Sequence, residues 1–224
     1  MFGIHSKFSL KMVSWMGGYY MTNEQYYEMI RPYQDALNLL MARLEVFNHT
    51  VYDRSQNQPL HNIQSRIKGK RSIEEKLARE GHPPSVTCAK DYLRDIAGIR
   101  VICYFVSDVE LLVKNLKSQS DLIVIKEKDY IRKPKPNGYR SYHIVLGVSV
   151  CYLDCREYYP VEVQIRTLGM DFWASMEHRI CYKQERGDKD EVQQILIRYA
   201  GILGEMEEDF EKYNDRYIED REET

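Results

Sequence analysis

The densest chemistry in the chain lies in one cationic segment, Lys128-Asp129-Tyr130-Ile131-Arg132-Lys133-Pro134-Lys135-Pro136-Asn137-Gly138-Tyr139-Arg140-Ser141-Tyr142-His143. Pro134 and Pro136 stiffen it, and Asn137-Gly138 supplies a tight turn. Tyr139, Ser141 and His143 then fall on one face of the strand that follows. A tyrosine there can stack on a nucleobase, and Lys135 can reach phosphate. Downstream comes Val161-Glu162-Val163-Gln164-Ile165-Arg166. Its apolar residues point one way, and Glu162, Gln164 and Arg166 point the other. A carboxylate in mid-strand between strong apolar neighbours can ligate a metal or take a proton from a hydroxyl. Together the two segments describe a site for a phosphorylated, flat-ringed ligand beside a metal or a general base. Blander alternatives stand beside this: Tyr139 as a half-buried aromatic on its own sheet, and His143 as a satisfied surface residue.

A second cationic group precedes it. Ile63 to Lys68 alternates like a short strand, with Arg66 and Lys68 on one face. Ser72-Ile73-Glu74-Glu75 is a capping-box pattern that predicts a helix running to Glu80, stopped by Gly81 and Pro83. A helix N-terminus favours phosphate, and Ser72, Lys76 and Arg79 share one helical face. With Arg66 and Lys68 they could converge on a polyphosphate. The pattern fits an ordinary capped helix with exposed cations equally well. Asp95 stands at the entry to the apolar run from Ile96, where a carboxylate can hold Mg²⁺ with help from phosphate oxygens. An aspartate there is also a common turn former. Arg100 follows on the polar face of the same run.

Positioning these residues requires a sheet with helices around it. A helical stripe over 22–52 runs through Tyr26, Ile30, Tyr33, Leu37, Leu40, Leu44 and Phe47, with Pro32 marking a kink or a helix start. Strands are predicted over 99–105, 122–125 (a second core strand), 141–150 and 160–166. Helices are predicted over 108–119, over 171–182 with Phe172, Trp173, Met176 and Ile180 inward, and over 190–213. The stripe of the last joins Val192, Ile195, Tyr199, Ile202, Met206 and Phe210. The sum is an α+β fold with a mixed central sheet flanked by helices. Residues 1–21 read as an N-terminal extension, 22–213 as one domain, and 214–224 as an acidic tail.

Bulk properties narrow the partners. The net charge of −2 conceals two basic segments, Arg66–Arg79 and Lys126–Arg140, and an acidic end from Glu205 onward. The basic segments suit anionic ligands, or else a solvated surface. Five cysteines without a CxxC pair point to a reducing cytoplasm and away from a zinc site. No apolar run approaches the roughly 18 residues needed to span a bilayer, and the first residues lack a signal-peptide pattern.

Three motifs carry a family resemblance: Asp95-Ile96-Ala97-Gly98-Ile99-Arg100, Pro134-Lys135-Pro136-Asn137-Gly138-Tyr139-Arg140-Ser141, and Asp171-Phe172-Trp173-Ala174-Ser175. They resemble the RelA/SpoT-type (p)ppGpp synthetases, in the small single-domain, RelP-like branch, over Thr22 to Tyr213. The resemblance implies a nucleotidyltransferase-like synthetase fold. It also implies a GTP diphosphokinase of the stringent response, transferring pyrophosphate from ATP to the 3′-hydroxyl of GDP or GTP with Mg²⁺. GMP stays open as a further acceptor.

Position by position, Asp95 and Glu162 match the catalytic carboxylates and metal ligands, Glu162 being placed to activate the acceptor hydroxyl. Arg66 and Arg100 match the pair that sandwiches adenine, and Lys68, Ser72, Lys76 and Arg79 match contacts to ATP phosphates. Tyr139 matches the guanine-stacking tyrosine. Lys128, Lys135, Asn137, His143, Gln164 and Asp171 surround the acceptor nucleotide, although Asp171 stands where some relatives have Asn. Lys126-Glu127-Lys128-Asp129 has Lys where the family's basic variant has Arg, which leaves acceptor preference open. The resemblance further implies a homotetramer built through terminal helices, without membrane or DNA partners, with single-stranded RNA left open as a ligand. No His-Asp pair occurs, so hydrolysis of the product is not expected. Two other readings are a nucleotide or RNA sensor that lost catalysis, and a toxin-like synthetase acting on adenine nucleotides or RNA.

Overall fold

The computed structural model describes residues 20–55, 57–181 and 189–222. Residues 1–19 of the expected extension lie outside that set; Met21, its last residue, is buried in the core. The chain runs α1 (Asn23–Ser55), β1 (Leu60–Ile67), α2 (Lys70–Arg79), α3 (Val86–Tyr92), β2 (Ala97–Cys103), α4 (Val106–Ser118), β3 (Leu122–Asp129), β4 (Tyr142–Cys151), β5 (Arg156–Thr167), α5 (Leu168–Cys181) and α6 (Lys189–Glu222). One five-stranded sheet has the order β1-β2-β5-β4-β3. Among the described strands, β2 and β5 alone pair in parallel. This is the expected α+β architecture with a mixed sheet.

A capping box forms at α1. Thr22 Oγ1 accepts from the Gln25 amide (3.1 Å) while Gln25 Oε1 accepts from the Thr22 amide (2.9 Å). Pro32 lies inside α1 and does not begin it. At α2 the expected capping box does not form. The helix starts at Lys70 behind an extended Gly69, leaving Ser72 in the first turn. Glu75 instead pairs with Arg71 at 2.7 Å, one helical turn away. Helix α3 has no counterpart in the sequence reading, because Pro83-Pro84 and the β-branched Val86 and Thr87 obscure it. Ser85 caps it by accepting from the Cys88 amide at 3.2 Å.

The core lies on one face of the sheet. Leu37, Leu40, Leu44 and Phe47 of α1 and Val109, Leu112 and Leu116 of α4 bury against Ile99, Val101, Val161, Val163, Ile165, Ile144 and Leu146. Strand β3 is not the core strand expected. It forms the sheet edge, with a register shift between Val124 and Lys126, and only Leu122 of its apolar run is buried. Two helix faces also differ from expectation. In α5 the buried residues are Gly169, Met170, Trp173 and Ala174, whereas Phe172 and Met176 are exposed, because the helix begins at Leu168 and its phase follows that start. In α6 the packed residues are Val192, Leu196, Ala200 and Leu203, and the stripe Ile195, Tyr199, Ile202, Met206 and Phe210 faces outward. The helix continues to Glu222 through the stretch read as a tail.

Helix α6 also closes the N-terminus of α4: Glu211 accepts from the Ser107 amide at 2.8 Å. Beside it, Asp108 accepts from the Phe105 amide at 3.0 Å. Burial pushes the Asp108 carboxyl up to about 6, and the charges of Glu211 and Asp215 add to this against the amide bonds of Phe105 and Tyr104. A carboxyl raised by folding contributes stability that is fully present below its unfolded value and is lost as pH rises from there through its folded value. Asp108→Asn keeps the accepting oxygen without the charge. It should raise the melting temperature at pH 8 and make little difference at pH 3, below the ordinary carboxyl value of 3.8. A gain of equal size at both values would show that the charge is not the cause.

Candidate active site

The opposite face of the sheet carries the polar chemistry, and strand register sets it out in rows. Gln64, Arg100, Gln164, His143 and Lys128 are successive cross-strand partners from β1 to β3. The neighbouring row is Arg66, Gly98, Glu162 and Val145. Glu162 is thereby fixed on the middle strand of the sheet, with Val161 and Val163 fully buried on either side. Gly98 has no side chain to fill the row, and the Arg66 side chain lies over it. The outcome is a cleft of about 230 Å³ lined by Gln64, Ser65, Arg66, Gly98, Ile99, Arg100, Glu162 and Gln164. Two guanidinium groups beside an open slot suit a flat ring, since both can stack on its faces.

At the end of the cleft where β1 leaves and β2 enters, Asp95 is gripped by two lysines. Lys68 Nζ is 2.5 Å from Oδ2 and Lys76 Nζ is 2.9 Å from Oδ1. Burial opposes charge on Asp95, but the hydrogen bonds and charges of Lys68 and Lys76 outweigh it and hold the carboxyl below its ordinary range. Ser72 and Arg79 share the helical face of Lys76 and are exposed. Hence Lys68 and Lys76 converge on Asp95, Arg66 and Arg100 line the cleft, and Ser72 and Arg79 are linked to Lys76 by the helical face they share.

On the other side of Glu162 lies an aromatic and cationic pocket. The turn is set by Asn137, whose Oδ1 accepts from the Tyr139 amide at 3.2 Å, and by Gly138 at φ 91°. Asn137 thus shapes the loop that presents Tyr139. Lys135 Nζ stands 4.6 Å from the Tyr139 ring centre and 4.8 Å from that of Tyr130. Lys128 Nζ lies 5.8 Å from the Tyr130 ring. Ser141 is fully buried and donates to the Ile165 carbonyl at 3.2 Å, so it secures the strand and does not face a ligand.

Arg166 had no role in the sequence reading beyond its place on the polar face, yet it organises this pocket. It is 6% exposed and donates to Asp171 Oδ1 (3.0 Å), to the Tyr139 hydroxyl (2.8 Å) and to Gln164 Oε1 (3.3 Å). Because the Tyr139 oxygen accepts from Arg166, its hydrogen is free for His143 Nε2 at 2.8 Å. Nδ1 of the same ring faces Glu162 Oε1 at 3.9 Å. Burial pushes His143 down to about 4, helped by the positive charges of Arg166, Lys135 and Lys128, so the ring is neutral at physiological pH. Gln164 Nε2 donates to Glu162 Oε2 at 3.1 Å. Asp171 also lies 3.8 Å from Arg100 Nη1 and so joins the two sides of the site.

This constellation can be set beside known proteins. The profile of the region found in RelA / SpoT proteins matches residues 65–187. The GTP pyrophosphokinase YwaC of Bacillus subtilis (strain 168) is 40% identical over 176 residues, covering 79% of this chain and 84% of the relative. The chain belongs to the RelA/SpoT family. Among solved structures, the small alarmone synthetase 1 of Bacillus subtilis bound to its product pppGpp superposes with a TM-score of 0.74. It is 30% identical, and the match covers 87% of this chain and 99% of that one. The same synthetase bound to AMPCPP superposes at 0.67 with 27% identity, covering 87% and 99%. No helix among the described residues is long and apolar enough to cross a membrane.

Proposed function

We propose that the chain is a (p)ppGpp synthetase that moves the β,γ-pyrophosphoryl group of ATP to the 3′-hydroxyl of GDP or GTP. The observation that carries this is one polar sheet face divided into two subsites with a carboxylate, Glu162, on the strand between them. A relative that holds AMPCPP in one structure and pppGpp in another supports nucleotide ligands for this chain. In this reading Arg66 and Arg100 stack on adenine, while Lys68, Ser72, Lys76 and Arg79 take the ATP phosphates. Tyr139 stacks on guanine, and Lys128, Lys135, His143, Gln164 and Asp171 line the acceptor. The acceptor oxygen attacks the β-phosphorus, its proton passes to Glu162, and the bond to the α-phosphate breaks so that AMP leaves with the electron pair.

Asp95 suits a hard divalent cation because its carboxyl is held ionised. No group of three His, Cys, Asp or Glu residues spaced for a metal occurs among the described residues. An Mg²⁺ ion would therefore take the rest of its shell from substrate phosphates and water. Asp95 and Glu162 would hold it, and it would offset the charge gathered on the transferred group. A reducing cytoplasm is the compartment this reading implies.

The test is purified chain with labelled ATP and, separately, GMP, GDP, GTP, ADP and RNA. Transfer to guanine nucleotides supports the proposal and ranks the acceptors. Label on ADP or RNA alone would make it a toxin-like enzyme. Nucleotide binding without transfer would make it a sensor.

The outward stripe of α6 supports self-association, and a homotetramer is the assembly proposed. Ile195, Tyr199, Ile202, Met206 and Phe210 are each more than two-fifths exposed on the face away from Trp173. Met206→Asp with Phe210→Asp places two charges on that face and should dissociate the assembly. Light scattering should give a wild-type mass of four subunits; a mass of one subunit at micromolar concentration would refute it.

A further inference from the structure

Glu207 of α6 is 8% exposed and lies outside every motif of the site. Its Oε1 accepts from the Thr167 hydroxyl and from the Gly169 amide, the latter at 3.0 Å. Its Oε2 faces Arg140 Nη1 at 3.5 Å. Each partner belongs to a different support of the pocket around Tyr139. Thr167 ends β5 directly after Arg166. Gly169 lies in the first turn of α5, which carries Asp171 and Trp173. Arg140 follows Tyr139 itself.

The approach is close enough to dictate residue type nearby. A Cβ on Gly169 would stand 2.7 Å from Glu207 Oε1. On the same side of α6, a Cβ on Gly138 would stand 3.0 Å from Ala200 Cβ and 3.3 Å from Ile197 Cα. Trp173 Nε1 donates to the Leu196 carbonyl at 2.8 Å. The last helix is therefore pressed against the loop that presents Tyr139, and Glu207 is where strand, helix and loop meet.

We infer that Glu207 is a positioning residue for the acceptor nucleotide, fixing the Tyr139 loop against β5 and α5 without touching substrate. The inference rests on the reading that Tyr139 lies on the acceptor side. Removing a carboxylate that serves a hydroxyl, an amide and a guanidinium costs each of the three that partner. Small displacements of a positioned group cost rate and apparent affinity out of proportion to distance.

Glu207→Ala should raise the acceptor KM about 10- to 100-fold while the KM for ATP stays near the wild-type value. Glu207→Gln keeps an oxygen for Gly169 and Thr167 but loses the charge facing Arg140, so it should fall between wild type and Ala. Measuring Tyr139→Ala in parallel separates the two claims. If Tyr139→Ala raises the acceptor KM and neither Glu207 variant does, the positioning role is refuted and the subsite reading stands. If Tyr139→Ala raises the ATP KM instead, the subsite reading falls. The positioning role then stands only if Glu207→Ala raises that same KM. Should Glu207→Ala fail to fold, Glu207→Gln decides alone: equal rises in both KM values, or none, overturn the inference.

Discussion

Glu162→Gln is expected to lower turnover by on the order of 10²–10⁴ with the melting temperature unchanged. The strand holds this position from both sides: Val161 and Val163 are fully buried, and Glu162 is registered against Gly98 on β2 and Val145 on β4. Glutamine has the same length and can still bond Gln164, but it cannot accept the acceptor hydroxyl's proton. Both KM values should therefore change little, because the lost interaction belongs to the transition state. Turnover within about threefold of wild type would remove Glu162 from proton transfer, since general-base loss ordinarily costs far more.

Tyr139→Ala should raise the acceptor KM about 5- to 150-fold, which corresponds to the ~1–3 kcal/mol ascribed to stacking one base on an aromatic ring. Tyr139→Phe separates ring from hydroxyl. From sequence alone the ring carries the role and Phe should be mild. The structure changes that expectation, because the hydroxyl accepts from Arg166 at 2.8 Å and lies 2.8 Å from His143 Nε2. Phenylalanine leaves a buried guanidinium short of one acceptor, a loss of roughly 1–3 kcal/mol or more for a charged group. It should lower the melting temperature and raise the acceptor KM to a level between wild type and Ala. A Phe variant identical to wild type would mean the hydrogen-bond chain is idle. One as damaging as Ala would mean the hydroxyl, and not stacking, carries the role.

Alternation made much of this legible. Val161, Val163 and Ile165 opposite Glu162, Gln164 and Arg166 defined both faces of β5, and the stripe of α1 defined its packed side. Short-range chemistry was less reliable where tertiary contacts compete with it. Ser72 looked like a cap, but the chain leaving β1 enters the helix at Gly69. The run Ile123-Val124-Ile125 looked like core, but it lies on a sheet edge whose register shifts. In α6, two apolar faces share one helix, and periodicity alone marked the exposed one. Arg166 and Glu207 were least visible, because their importance comes from partners distant in sequence: Tyr139 and Asp171 for one, Thr167, Gly169 and Arg140 for the other.

The central claim is pyrophosphoryl transfer between two nucleotides, and product analysis tests it most directly. Purified chain should be incubated with ATP labelled on its β- and γ-phosphates, GDP and Mg²⁺, and the products resolved by chromatography. The account predicts AMP and a guanosine nucleotide carrying both labelled phosphates on its 3′-oxygen, formed in equal amounts. Release of ADP with a singly labelled product, or of free pyrophosphate with no labelled guanosine nucleotide, would contradict it.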